Sequence, residues 1–202
     1  MEVVALFLKA PVPGQVKTRL AASLGDEKAS EAYVSLVEFL LKRLSGLPIH
    51  IHHVPEDSSS LVAWLGPDYV YHPQKGADLG ERLENAMECE FAGGADKLIF
   101  LGGDCPYVDK SRIDEAFAAL DHHDVVIGPA TDGGYYLIGL KHLLPELFRN
   151  IAWSTDVVFK QTLEICYRDG FSFSVLAEES DVDDLASWEK ASAFLQEQAS
   201  SS

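Results

Sequence analysis

Cysteine, positive charge and long apolar runs are all scarce in this chain. The three cysteines, Cys89, Cys105 and Cys166, are widely spaced and odd in number. That pattern argues against a disulfide framework or a zinc site, so they read as buried thiols. No stretch approaches the roughly 20 apolar residues of a membrane span. The opening Met1–Leu8 is too short, and lacks the cationic lead, for a secretory signal. A cytoplasmic protein without a membrane partner is the expectation. Lys and Arg number 16 against 32 Asp and Glu, a formal net charge of −16. Such a surface repels phosphate backbones, which excludes nucleic acid as a partner. It repels small anions too, unless a local cluster of cations or a metal ion receives them. Neither G-x-x-x-x-G-K-[ST] nor G-x-G-x-x-G occurs, so the chain carries no Walker loop and no dinucleotide fingerprint.

What is present is an alternation of strand and helix signals over 202 residues, 47% of them apolar. This is enough for one core, and it predicts a single domain over 1–198 with a frayed Ser-rich tail at 199–202. Strands are predicted at Val3–Leu8, Ile49–Val54, Tyr69–His72, Lys97–Gly102, Asp124–Gly128, Tyr135–Leu140 and Phe171–Leu176. Helices are predicted over Asp26–Leu44, Ser58–Leu65, Leu79–Phe91, Ser111–Leu120, Ser154–Tyr167 (capped by Ser154) and Asp184–Gln196. The alternation implies an α/β fold: a mixed, mostly parallel sheet of about seven strands covered on both faces. The short link 129–134 cannot hold a crossover helix, so the fifth and sixth strands form a hairpin or leave the sheet. His50 and His52 fall on one face of their strand and His53 on the other, in surface or packing roles.

In open α/β sheets ligands collect beyond the carboxyl ends of the strands. The segments expected there bring several cations and several carboxylates to one rim. The first is KAPVPGQVKTR, with Lys9, Pro13, Gly14, Lys17 and Arg19. Prolines stiffen it, glycine permits close approach, and cations at a helix start suit phosphate. An ordinary turn with solvated cations is the other reading. HPQKGADLGERL adds Lys75, Asp78 and Arg82, and GGDCP adds Asp104, a stiffly held carboxylate suited to Mg²⁺ or a turn cap. PATDGGYY adds Asp132 beside Gly133, Gly134 and Tyr135. SDVDD adds Asp181 and Asp183, a metal-ligand candidate or an acidic helix start. Trp153 anchors a helix start and walls the pocket.

Taken together, KAPVPGQVKTRL, GADLGERL, GGDCP, GPATDGGYYLIGL, IAWSTDVV and DVDDLASW resemble a bacterial family of small glycosyltransferase-like proteins. Its members are described as transferases associated with radical-SAM and selenium-domain neighbours. That family is similar to the GT-A, or nucleotide-diphospho-sugar transferase, superfamily, with its Rossmann-like three-layer α/β/α sandwich. The resemblance implies a phosphate cradle at Lys9, Pro13, Gly14, Lys17 and Arg19, joined by Asp78 and Arg82. It implies Mg²⁺ or Mn²⁺ on Asp104 and Asp183, with Lys17 and Arg19 taking the outer phosphate charge. Asp132 is the candidate for orienting or deprotonating the acceptor, beside Gly133, Gly134, Tyr135 and Trp153. The expected function is glycosyl transfer from a nucleotide sugar to a small-molecule acceptor. The alternatives are nucleotidyl transfer from a nucleoside triphosphate, with pyrophosphate leaving, and nucleotide binding without turnover.

Overall fold

In the computed structural model, which describes residues 1–200, the opening apolar run forms β1 (Glu2–Lys9). Its alternate side chains enter two different cores. Val4, Leu6 and Leu8 pack against Val37, Leu40 and Phe117, while Val3 and Ala5 pack against Leu83 and Met87. A strand buried on both faces needs apolar residues at every position, hence the unbroken run.

The remaining strands are β2 (Ile49–Val54), β3 (Val70–Pro73), β4 (Lys97–Gly102), β5 (Val125–Pro129), β6 (Tyr135–Leu140) and β7 (Phe173–Val175). They join one seven-stranded sheet in the order β3-β2-β1-β4-β6-β5-β7. Every pairing is parallel except those of β6, which runs antiparallel to β4 and β5. The short link after β5 therefore closes a hairpin, as one of the two expected outcomes required. It also turns the start of β6, Tyr135, toward the rim where β1, β4 and β5 end.

Seven helices cover the sheet among the described residues: α1 (Thr18–Leu24), α2 (Asp26–Arg43), α3 (Ser59–Leu65), α4 (Leu79–Ala92), α5 (Lys110–Ala119), α6 (Val158–Asp169) and α7 (Leu185–Ser200). Helix α7 takes in Ala199 and Ser200 of the expected tail, and Ser201 and Ser202 lie outside the described residues. Among the described residues no helix is long and apolar enough to cross a membrane. Cys105 and Cys166 are buried, but Cys89 is exposed, because it falls on the outer side of α4.

The helix expected to start at Ser154 starts at Val158 instead. Ser154 has φ 64°, a left-handed conformation that cannot begin a helix. The segment before α6 is a turn, in which Thr155 Oγ1 donates to the Ala152 carbonyl at 2.6 Å.

The short edge strand β7 is fastened by one carboxylate. Asp124 Oδ2 accepts from Ser172 N at 2.8 Å and from Ser172 Oγ at 2.6 Å, and Lys141 Nζ lies 3.2 Å from Oδ1. The Ser172 hydroxyl hydrogen bond leads in lowering the Asp124 carboxyl to about 2. A carboxyl depressed in the folded state stabilises above its ordinary value and loses that contribution as pH falls. Asp124→Asn should therefore cost about 1–2 kcal/mol near neutral pH. In urea melts, the gap to the parent should narrow between about pH 5 and about pH 3. An equal gap at both pH values would remove Asp124 as the fastening charge.

Candidate active site

The rim holds two adjoining cavities that share Arg19 and Asp183. The first, of about 230 Å³, is lined by Phe7, Lys9, Lys17, Arg19, Asp104 and Asp183, among others. The second, of about 460 Å³, is lined by residues including Asp132, Gly134, Tyr135, Trp153, Asp156 and Asp181.

Lys9 ends β1, where Tyr33 of α2 holds its backbone. The Tyr33 hydroxyl accepts the Lys9 N–H at 3.0 Å and donates to the Lys9 carbonyl at 3.2 Å. Burial, and then the negative charge of Asp104, push that phenol well above its ordinary value. The chain next makes a tight turn, fastened by Ser30 Oγ donating to the Pro11 carbonyl at 2.9 Å. Gly14 adopts φ 78° there, a left-handed conformation that glycine permits cheaply. Pro13 and Gly14 are exposed and lie outside the cavity lining. They shape the turn; they do not face the cavity.

Lys17 is where the structure departs most from expectation. It precedes α1 with φ 49° and ψ 45°, a left-handed conformation uncommon for a residue with a side chain. Its side chain is only 4% exposed. The ammonium lies 2.9 Å from Asp104 Oδ1 and 3.7 Å from Asp183 Oδ1, and it donates to the Val182 carbonyl. Two loops thus close on one buried cation carried by a third. Lys17 does not reach outward for phosphate; it bridges the two carboxylates expected to share a metal. Backbone strain of this kind persists where the surroundings over-determine it, often at functional sites. The helix it precedes has only seven residues, so anion binding here depends on side-chain cations.

Asp104 follows β4 after Gly103, and its backbone carbonyl accepts the Val182 N–H at 3.0 Å. Its side chain and that of Asp183 are each 43% exposed, so both can face a ligand. Arg19 Nη1 sits 3.5 Å from Asp183 Oδ2 and is exposed. The acidic helix start belongs to a neighbour: Asp184 Oδ1 accepts the Ser187 N–H at 2.9 Å. That frees Asp183 from capping. Asp181, the other candidate of the same loop, lines the second cavity. Burial, then the charges of Asp104 and Asp132, push its carboxyl up to about 7.

In the second cavity Asp132 Oδ1 accepts the Gly134 N–H at 2.9 Å, closing the turn before β6. Gly133 has φ 89°, and a Cβ there would stand 2.2 Å from the Asp156 carbonyl oxygen, so only glycine fits. Its own role is backbone packing. Tyr135 and Trp153 meet edge to face with centroids 6.3 Å apart and form the apolar wall. The Tyr135 hydroxyl is buried and has no hydrogen-bond partner among the described residues.

Asp78 and Arg82 line neither cavity. Asp78 caps α4 by accepting the Glu81 N–H at 2.9 Å, while Glu81 Oε2 accepts the Ala77 N–H at 2.7 Å. Arg82 Nε donates to the Gly76 carbonyl at 3.1 Å. Both organise the loop between β3 and α4 and stand apart from the phosphate cradle that the resemblance implies. The signal was readable: Asp-x-x-Glu is a capping-box spacing.

The donor set suits a hard divalent cation. Five carboxylates (Asp104, Asp132, Asp156, Asp181, Asp183) line the two cavities against three cations (Lys9, Lys17, Arg19). Mg²⁺ takes oxygen ligands and commonly uses one or two carboxylates together with substrate phosphates.

Comparison with known proteins is consistent with the fold. Residues 39–155 match a family model described as an uncharacterized protein conserved in bacteria, DUF2064. A crystal structure described as a candidate nucleotide-diphospho-sugar transferase from Desulfovibrio desulfuricans G20 is 37% identical. Its TM-score is 0.86, over 91% of this chain and 82% of that one. A 2-phospho-L-lactate guanylyltransferase from Methanocaldococcus jannaschii is 28% identical over 169 residues. That match takes in 82% of this chain but only 64% of the relative's length. A nucleotidyl transferase from Methanothermobacter shares the fold at TM-score 0.66 and 18% identity, over 97% of this chain and 98% of that one.

Proposed function

The chain belongs to the DUF2064 family, and from that premise we propose that its rim performs nucleotidyl transfer. A phosphate oxygen of a small anionic acceptor attacks the α-phosphorus of a nucleoside triphosphate. The new P–O bond forms as the bond to the β-phosphate bridge breaks, and pyrophosphate leaves with the electron pair. The observation that carries this reading is the cavity around Lys17: a buried ammonium flanked by Asp104 and Asp183, with Lys9 and Arg19 lining the same space. With Lys17 engaged by the two carboxylates, Lys9 and Arg19 are the cations in this cavity that suit a polyphosphate chain. The guanylyltransferase likeness, over 82% of this chain, supports the same order of preference.

Lys9 and Arg19 take the outer phosphates. Lys17 fixes the distance between Asp104 and Asp183 and offsets part of their charge. Those two aspartates would hold Mg²⁺ or Mn²⁺, which when bound stabilises charge on the phosphates. The second cavity receives the acceptor against Tyr135 and Trp153, with Asp132 orienting it. A nucleotide-sugar donor is the second reading, favoured by the description of the 37% identical relative.

Thermal melts with Mg²⁺ separate the two. A nucleoside triphosphate at about 100 times its Kd should stabilise by about 2.7 kcal/mol. That corresponds to a rise in Tm of about 5–10 °C for a chain of this size. Stabilisation by nucleotide sugars alone would reverse the order, and a shift with neither would end both readings.

A further inference from the structure

Away from the rim, three imidazoles converge on one buried carboxylate between the sheet edge and α4. Glu90 of α4 is 2% exposed. His50 Nδ1 of β2 lies 2.8 Å from its Oε2, and His52 Nε2 lies 2.7 Å from its Oε1. His72 Nε2 of β3 stands 3.8 Å from Oε1, too far for a hydrogen bond. His50 and His52 share a face, as alternation along a strand requires. What the sequence could not supply was Glu90, brought to that face by a helix 38 residues beyond His52.

From this geometry we infer a second metal site, in which His50, His72 and Glu90 bind Zn²⁺. One ligand atom from each of the three lies within 4.8 Å of the other two. Tetrahedral zinc with bonds of about 2.0–2.2 Å needs ligand atoms about 3.3–3.5 Å apart. His50 Nδ1 approaches Oε2 and His72 Nε2 approaches Oε1, so small side-chain rotations would bring one ion within reach of both imidazoles and the carboxylate. Imidazole nitrogens with one carboxylate suit zinc, whereas the all-oxygen rim suits magnesium. The ligands come from β2, β3 and α4, so one ion would pin the short edge strand to both neighbours.

Two further observations favour a ligand-binding cluster over a closed structural one. His52 remains as the outer partner that orients the carboxylate, the usual arrangement around a metal ligand. The cluster also opens: a cavity of about 360 Å³, lined in part by His52, His72, Lys75 and Cys89, leads to it. Cys89 Sγ stands 3.9 Å from His72 Nδ1, beside the site, and is not one of the three converging ligands. The cysteine spacing that argued against zinc has no bearing on a histidine–glutamate set.

The test uses tag-free, chelator-treated full-length protein titrated with Zn²⁺ alone, in competition with a chromophoric chelator. One equivalent should bind outside the Asp104 site, and Asp104→Asn should leave its affinity within about 3-fold. His72→Gln, at a partly exposed position, should weaken it at least about 10-fold, and His50→Gln likewise, while Cys89→Ser should not. Circular dichroism of each variant before titration excludes misfolding as the cause. Co²⁺ in place of Zn²⁺ should give visible ligand-field bands that disappear in His72→Gln. No high-affinity equivalent, or one that survives both histidine substitutions, overturns the site. Loss in Asp104→Asn alone would move the ion to the rim and equally overturn it.

Discussion

Lys17→Met should lower nucleotidyl transfer by about 10²–10³-fold and leave the chain folded. Methionine replaces the aliphatic stem of a side chain only 4% exposed, so packing is retained and the charge is removed. Its backbone strain is no worse, because lysine already holds the left-handed conformation there. Removing one partner of a fully buried ion pair costs about 3–5 kcal/mol. Here Asp104 and Asp183 are each 43% exposed and can rehydrate, so the loss of stability should be much smaller. The damage appears in catalysis: the two carboxylates repel one another and drift from the spacing that Lys17 sets. Steady-state pyrophosphate release read beside a thermal melt checks this. Activity within about 3-fold of the parent would mean that Lys17 is only a structural counter-ion.

Asp104→Asn should have an effect at least as large, of a different kind. The shape is conserved, and Lys17 keeps Asp183 as a partner at 3.7 Å. What is lost is one of the two carboxylates proposed to hold the divalent ion. Nucleoside triphosphate affinity with Mg²⁺ should fall at least about 10-fold and kcat at least about 10²-fold. Affinity measured without the metal should change little, since Lys9 and Arg19 remain. Calorimetry with and without Mg²⁺ distinguishes these outcomes. An Mg²⁺-dependent affinity equal to the parent's would remove Asp104 from the metal site.

How much of this was legible in the sequence depended on whether one segment or several carried the signal. The β1 run was readable because burial on both faces leaves only apolar residues. The hairpin of β5 and β6 followed from a link too short for a crossover. The rim followed from strand direction, since a parallel sheet puts the ends of β1, β4 and β5 on one side, and Asp104, Asp183 and Lys9 do meet there. The role of Lys17 was not readable: its three partners come from loops more than 80 residues away in the chain. As a cation in a loop it resembled an outward phosphate ligand, and only folding shows it turned inward. Asp78 was misread for the opposite reason. Its partners are local, and the Asp-x-x-Glu cap was outweighed by a pattern that suggested a ligand. Trp153 lines the second cavity, whereas the helix start assigned to it lay four residues too early, because a left-handed Ser154 leaves no mark in composition.

The most direct test of the account is the identity of what leaves the enzyme. The full-length protein with Mg²⁺, each nucleoside triphosphate and a panel of small phosphorylated acceptors, 2-phospho-L-lactate among them, can be followed by phosphorus NMR. The account predicts inorganic pyrophosphate and a product in which the acceptor phosphate is joined to the nucleoside monophosphate. Nucleoside diphosphate released from a nucleotide sugar, with triphosphates left intact under the same conditions, would contradict it.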